Sequence, residues 1–172
     1  PAIGTFGSAK RFSEVWFAGA GFTRGGLSSN NAGGLPVVQV SRKLTSKERD
    51  ILYTANINPI ASFPSEGIVV FGQKTLQSTP SALDRINVRR LMNYVKKEIS
   101  RIASTILFDP NVQATWNVFL GEVRPFLQDV QARLGITEFK VVLDETTTTP
   151  ELIDRNILYA KIFIKPARAI EF

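Results

Sequence analysis

Residues 67–107 read GIVVFGQKTLQSTPSALDRINVRRLMNYVKKEISRIASTIL and predict a short buried strand followed by a long amphipathic helix. The apolar run 68–71 is rich in β-branched and aromatic residues and is bounded by two glycines, which is typical of a strand with both faces covered. Further along, apolar side chains recur at steps of three and four residues, so they share one helical stripe that faces the core. They are Val88, Leu91, Met92, Val95, Ile99, Ile102, Ala103 and Ile106.

The opposite side of this predicted helix is basic. Residues 84–101 contain six basic and two acidic residues, so most of the net charge of +6 lies there. A basic helical face of this kind is commonly exposed to solvent without binding a partner. Nucleic-acid binding is the more specific alternative. Apart from Tyr94, the charged side offers no aromatic ring for base stacking. The candidate interaction residues are Arg89, Arg90, Asn93, Lys96, Lys97 and Arg101.

The composition limits the classes of protein that the chain can represent. With 172 residues and 44% hydrophobic content it suffices for one well-buried core, so we expect a single domain. It has no cysteine and no histidine, which excludes disulfides, zinc sites built on these residues, and Ser-His-Asp or Cys-His nucleophiles. The apolar runs are too short for a membrane span, and the N-terminus does not read as a signal peptide. Carboxylate or lysine chemistry remains possible. We expect a soluble, cytosol-made protein.

Two short motifs suggest ligand binding but lack the context that such sites need. The glycine-rich segment 19–25 follows an apolar run, as in a phosphate-binding loop, but the residues after it, 25–34, cannot form the helix that holds a pyrophosphate. Asp144 and Glu145 are adjacent carboxylates, but neighbours at a strand end usually point apart, and residues 146–149 add no further charge. We therefore expect neither a nucleotide site nor a metal site.

The rest of the N-terminal half predicts loops and short elements. Residues 1–36 are rich in Gly, Ser and Asn and are expected to be mostly loop, apart from a strand at 15–18. A second strand is expected at 37–40. Thr45 and Glu48 have the spacing of a capping box that opens a short helix. Residues 60–63 and 68–71 are expected to be adjacent strands.

A second long helix is expected after residue 108, with Asp109 as its N-cap, Pro110 in the first turn and Gly135 as a left-handed C-cap. A strand at 139–143, a short helical turn at 149–156 and a last strand at 157–164, which Pro166 interrupts, complete the chain. We assign the fold class α+β: a single domain with a mixed β-sheet packed with two long amphipathic helices. The core face of the second helix comprises Val112, Trp116, Phe119, Leu120, Val123, Leu127, Val130 and Leu134.

A set of short strings then carries a family resemblance. They are NINP (56–59), FGQKTL (71–76), NVRRL (87–91), VQARLGI (130–136), DE with TPE (144–145 and 149–151), IDRN (153–156) and IKPAR (164–168). In this order and spacing they resemble the C-terminal domain of contractile tail sheath proteins, found in contractile bacteriophage tails and R-type bacteriocins. The match is strongest over 67–172. One departure is Phe71, where sheath proteins more often carry Trp.

The resemblance implies that residues 1–172 form the single inner, tube-proximal C-terminal domain of a sheath protein, with a Gly/Ser/Asn-rich N-terminal segment at 1–36. We expect the chain to be a fragment that lacks the outer domains and the exchange arms. In the family, such arms add strands to the sheets of neighbouring subunits. The candidate residues for the receiving sheet and the arm junction are Tyr159, Lys161, Phe163, Lys165, Pro166, Ala167 and Arg168.

The resemblance also implies a structural role and no enzyme activity. Such a subunit polymerises around the tail tube and contracts to drive the tube through the target cell envelope. The implied partners are other sheath subunits, the tube protein and the baseplate, with no nucleic acid and no direct membrane contact, in a virion tail assembled in the bacterial cytoplasm. The basic helix then faces acidic tube residues, or Asn87, Arg89 and Arg90 hold the helix start to the 144–145 loop. The alternative function is a nucleic-acid-binding module that uses the helix around Arg89–Arg101.

Overall fold

The computed structural model describes residues 1–28 and 36–171. Within these ranges the elements are six helices and four strands, in the order α1 (Ala2–Phe12), α2 (Gly21–Arg24), α3 (Ser46–Thr54), β1 (Ile60–Phe63), β2 (Gly67–Val70), α4 (Ile86–Thr105), α5 (Gln113–Ala132), β3 (Ile136–Val142), α6 (Pro150–Asp154) and β4 (Lys161–Pro166). The α+β class is confirmed. The chain divides into two compact units, one of Pro1–Leu91 with Arg168–Phe172 and one of Met92–Ala167, so the single domain stays a prediction.

The first unit is built on the hairpin of β1 and β2, which pair antiparallel as expected, with Ile60 opposite Val70. The glycine-rich segment lies beside β2: Leu27 N–H donates to Ile68 O over 2.8 Å, and Val70 N–H donates to Gly25 O over 2.8 Å. Gly25 has to be glycine because a Cβ there would lie 2.7 Å from two backbone carbonyl oxygens. Leu27, Ile68 and Val70 form a buried core cluster against which Ala20, Val37 and Val40 pack.

The N-terminal predictions are wrong in three places. Residues 2–12, expected to be loop, form α1, although two glycines lie within it. Residues 15–18 and 37–40, expected to be strands, are irregular because no ladder partner lies beside them among the described residues. The glycine segment after residue 19 leads into α2, a helix of 4 residues. The part of the nucleotide-loop argument that concerns residues 29–34 lies outside the described residues.

Helix α3 begins as its sequence predicts. Thr45 is the N-cap, its hydroxyl accepts a hydrogen bond from Glu48 N–H over 3.3 Å, and the Glu48 carboxylate accepts one from Thr45 N–H over 2.8 Å. This reciprocal pairing satisfies two backbone donors that a helix start otherwise leaves open. The same carboxylate also pairs with Arg42. A capping-box pattern is local, so its reading from sequence does not depend on tertiary contacts.

In the second unit, α5 contacts β3, and the predicted core face of α5 is buried from Trp116 to Val130. The ends of α5 differ from the prediction. The helix begins at Gln113 with Val112 as N-cap and no side-chain capping bond, so Asp109 and Pro110 precede it. At the other end Leu134, with φ of 62°, takes the left-handed conformation expected of Gly135. Gly135 instead donates its N–H to Val130 O over 2.9 Å.

Strands β3 and β4 pair antiparallel, with Phe139 opposite Ile164 and Val141 opposite Ile162. The expected single mixed sheet is wrong: the described strands form two separate two-stranded antiparallel sheets. In each sheet the two paired strands follow one another in the chain. An antiparallel pair of this kind does not need the long crossover connection that a parallel pair requires. The last strand begins at Lys161 rather than 157, and β3 begins at Ile136 rather than 139. The short helix α6 confirms the turn expected near residue 150.

Candidate interaction surfaces

The basic face of α4 remains exposed over its C-terminal part. Asn93, Lys96, Lys97 and Arg101 are all exposed, as the spacing predicted. Arg101 Nε lies 3.0 Å from Glu98 Oε2, so part of its charge is neutralised within the helix. No hydrogen bond or ion pair involves the side chains of Lys96 and Lys97 in the described part of the chain. These two ammonium groups are therefore the most available cations of the predicted face.

The other two candidate cations of this helix are already engaged. Arg89 donates from Nε to Leu83 O over 2.8 Å and from Nη2 to Gln77 Oε1 over 2.7 Å, which ties α4 to the loop before it. Arg90 donates from Nη2 to Phe6 O over 2.9 Å, and its guanidinium carbon lies 5.0 Å from the centroid of the Phe6 ring. Burial lowers the pKa of Arg90. Arg90 therefore holds helix α1 and is not an exposed docking cation.

The β3–β4 sheet has the form of an incomplete sheet. Each strand pairs on one side only, so neither outer edge carries a further strand among the described residues. The side chains of β4 alternate: Ile162 and Ile164 are partly buried, whereas Lys161, Phe163 and Lys165 are exposed. On the exposed face Lys165 Nζ lies 2.8 Å from Glu138 Oε1. Unpaired edge groups of this kind are a template for a further strand.

The residues that flank β4 differ in position from the predicted strand. Tyr159 does not belong to the strand; instead its N–H and its carbonyl oxygen both bond the Thr148 hydroxyl, over 3.1 and 3.2 Å. Thr148 is fully buried. Its burial was not expected, because the sequence around it is polar and rich in threonine. The β4 ladder ends at Pro166, opposite Ile136, as expected, and one backbone hydrogen bond beyond the strand runs from Ala167 N–H to Gly135 O over 3.0 Å. Arg168 is exposed.

A carboxylate network that the sequence analysis missed holds the C-terminal segment in the first unit. Arg85 Nε lies 2.8 and 3.0 Å from the two Glu171 oxygens, and Gln73 Nε2 donates to Glu171 Oε1 over 3.1 Å. Burial alone would raise the pKa of Glu171, but hydrogen bonds from Arg85, Tyr53 and Gln73 outweigh it and lower the pKa. The partners are 86 and 98 residues away from Glu171, a separation that no local pattern reveals.

Two of the sequence strings that carried the resemblance meet in the same unit. The Asn58 side chain donates to Lys74 O and accepts from Lys74 N–H, both over 2.8 Å, and so imitates a strand pairing. Gly72 passes so close that a Cβ there would lie 2.8 Å from Asn58 Oδ1. The NINP and FGQKTL strings therefore form one structural joint rather than a chemical site.

The structure also bears on the excluded ligand sites. Asp144 Oδ1 accepts hydrogen bonds from the Thr146 hydroxyl and from Thr146 N–H, and the first of these is the main cause of the lowered pKa of Asp144. The carboxylate thus closes its own turn. The described residues contain no group of three or more acidic side chains placed to hold a metal ion. Likewise, none of the described helices combines the length and the apolar character that a membrane span requires.

Solved structures share this fold almost end to end. An extracellular contractile injection system, the PVC sheath complex in its contracted state, matches with a TM-score of 0.85 and 25% identity over 98% of this chain and 47% of that one. The baseplate of the anti-feeding prophage matches with a TM-score of 0.85 and 22% identity over 99% of this chain and 47% of that one. The chain thus shares its fold with proteins of these two contractile assemblies.

Sequence comparison identifies the family. The model of the phage tail sheath C-terminal domain matches residues 78–172, and the chain belongs to this family. It is 40% identical over 160 residues to the tail sheath protein of Vibrio phage KVP40 and 39% identical over 160 residues to that of Enterobacteria phage T4. Each alignment covers 93% of this chain, which spans 23% of the length of either relative. The resemblance drawn from the short strings is confirmed.

Proposed function

We propose that this chain is the inner part of a sheath subunit that polymerises around a tail tube and contracts to drive the tube through a target cell envelope, without catalysing a reaction. Membership of the sheath family and the fold shared with a contracted sheath complex support the proposal. The work of contraction would then come from new contacts between subunits. The assembly would take place in the bacterial host, and the baseplate would be a further partner.

The observation that carries the proposal is the two-stranded β3–β4 sheet with both edges free among the described residues. A two-stranded hairpin is marginally stable by itself and gains from further strands. Backbone groups along its outer edges can pair with an extended segment of a neighbouring subunit, which supplies main-chain hydrogen bonds without requiring a deep pocket. The exchange of strands would link subunits while still allowing them to rotate during contraction.

The tube contact is assigned to the exposed cations of α4. Lys96 and Lys97 project from the basic face without a partner in the described part of the chain, whereas Arg90 is held by Phe6. Long-range attraction to an acidic tube surface would orient the subunit and speed assembly more than it would increase final affinity. Such a contact weakens as salt screens the charges. Nothing in the site geometry favours nucleic acid over an acidic protein surface.

The test uses the full-length protein that contains this chain, produced with and without its tube protein. Wild-type protein should form helical tubes visible by electron microscopy, and amides of β3 and β4 should exchange hydrogen more slowly in the tubes than in free subunits. Reversing Lys96 and Lys97 to Glu should prevent decoration of the tail tube and leave the fold intact, because exposed charges contribute little to stability.

The matched control reverses Lys43 and Lys47, two exposed lysines far from α4 in sequence, and should decorate the tube normally. Unchanged hydrogen exchange in β3 and β4 after assembly would rule out strand addition. An equal loss of tube decoration in both charge-reversed variants would mean that the overall charge, and not the basic face of α4, guides assembly. Sub-micromolar DNA binding at physiological salt that the α4 reversal abolishes would favour the nucleic-acid alternative.

A further inference from the structure

The turn between α4 and α5 presents an aromatic side chain completely to solvent. Phe108 has a relative exposure of 104%, and the neighbouring Leu107 is 63% exposed. Val112 and Ile157 are also exposed apolar residues in the same unit. We call residues 105–112 the Phe108 turn. Single exposed apolar residues are common, but a fully exposed phenylalanine in a turn with further exposed apolar residues is not explained by the packing of the unit itself.

The backbone conformation of Phe108 is unfavourable for a bulky residue. Its φ is +72°, in the left-handed region that glycine and asparagine tolerate far better. Holding a non-glycine residue there costs on the order of 1 kcal/mol. The turn therefore keeps an aromatic residue at a position where glycine would be more stable. Because the ring is exposed, burial does not offset the cost of this backbone conformation. An interaction outside the described structure offers a physical reason for that choice.

Hydrogen bonds hold the Phe108 turn in place. Asn111 Oδ1 accepts a hydrogen bond from the Nε1 of buried Trp116 over 2.7 Å, and Asn111 Nδ2 donates to Ile157 O over 3.2 Å. Within the turn Asp109 N–H donates to Ile106 O over 3.2 Å. The aromatic ring is thus displayed on a fixed support, and such preorganisation reduces the entropy lost when a partner binds.

We infer that Phe108 is an anchor residue that inserts into an apolar surface of a second sheath subunit. The Phe108 turn contains a single charged residue, Asp109, and no lysine or arginine, whereas the chain as a whole has a net charge of +6. Two copies of this positively charged chain repel each other where their basic surfaces meet, so a contact between copies is more favourable at a segment that lacks positive charge. Central aromatic anchors in uncharged surroundings dominate many protein interfaces.

The inference rests on the proposed sheath function, and the experiment separates the two. In the full-length protein, Phe108→Gly should leave the melting temperature equal or higher, because it removes the left-handed penalty. It should raise the critical concentration for tube formation about tenfold or more. Phe108→Tyr should keep normal assembly, since the ring is retained. Leu134→Gly is the matched control: Leu134 is also exposed with a φ of +62°, and its replacement should not affect assembly.

The partner is identified by placing the photo-reactive phenylalanine analogue p-benzoylphenylalanine at position 108. Irradiated tubes should yield a covalent adduct of two sheath subunits. An adduct with the tube protein instead, or no adduct in assembled tubes, would overturn the inference. Normal assembly of Phe108→Gly, or equal impairment of Leu134→Gly, would overturn it as well. Failure of the wild-type protein to assemble at all would contradict the proposed function itself.

Discussion

Removing the negative charge of Glu171 tests whether the ion pair between Arg85 and Glu171 stabilises the packing of the C-terminal segment within the first unit. The change Glu171→Gln keeps the size of the side chain and one acceptor oxygen. It removes the charge that Arg85 Nε approaches at 2.8 and 3.0 Å and that Gln73 contacts at 3.1 Å. The side chains of Arg85 and Glu171 are only 27% and 14% exposed, so water replaces the lost interaction poorly.

The expected size of the effect follows from this geometry. Hydrogen bonds to a charged group contribute about 1.5–3 kcal/mol each, and solvent at the exposed quarter of Arg85 reduces that contribution. We expect Glu171→Gln to lower the free energy of unfolding by about 2 kcal/mol. Because the two residues act together, a double-mutant cycle with Arg85→Gln should give a coupling energy of about 1–2 kcal/mol.

The measurement is urea unfolding of the purified chain at neutral pH, with all four members of the cycle under the same conditions. The control is a cycle on Glu138 and Lys165, whose ion pair has the same 2.8 Å separation but side chains that are 72% and 65% exposed. That pair should show a coupling energy of about 0.2–1 kcal/mol. A coupling energy for Arg85 and Glu171 below about 0.5 kcal/mol would refute the argument that burial strengthens the ion pair.

The same network predicts a pH dependence with a definite sign. The pKa of Glu171 is lowered in the folded protein, so the carboxylate stabilises the fold above its unfolded pKa and loses that contribution as the pH falls through the folded pKa. The window therefore lies below the ordinary glutamate value of 4.5. Glu171→Gln should flatten the loss of stability in this acidic range relative to the wild type. If the free energy of unfolding fell with pH in the same way for both proteins, other titratable groups would control the acid sensitivity.

Two further predictions concern the second unit, each measured by urea unfolding. Leu127→Ala in α5 should lower the free energy of unfolding by about 2–5 kcal/mol, because Leu127 is fully buried and its truncation leaves a cavity. The control is Val118→Ala at an exposed position of the same helix, and an equally small loss in both variants would contradict the assigned core face. Thr148→Val should cost about 1–3 kcal/mol, because its buried hydroxyl bonds both backbone groups of Tyr159, and neutrality on exchange for the equally large valine would refute that role.

Local patterns predicted the two long helices and the start of α3 well, but missed α1. The stripe from Val88 to Ile106 and the core face from Trp116 to Val130 are periodic over many residues, and the Thr45–Glu48 capping box depends only on residues three apart. The pairing of β1 with β2 was also predictable, because a short turn joins two adjacent apolar strands. The motif strings placed the chain in its family.

Contacts between distant residues decided the rest. Arg90 has the same spacing as the exposed cations of α4, and only the position of Phe6 turns it into a partly buried partner of α1. Glu171 and Arg85, Thr148 and Tyr159, and Asn58 and Lys74 likewise meet through the folded chain. Periodicity predicted the long helices α4 and α5, the motif strings predicted the family, and composition predicted the charge of the exposed face. Apart from local pairs such as the capping box, the pairing of polar groups was set by tertiary contacts, because burial is a property of the whole fold.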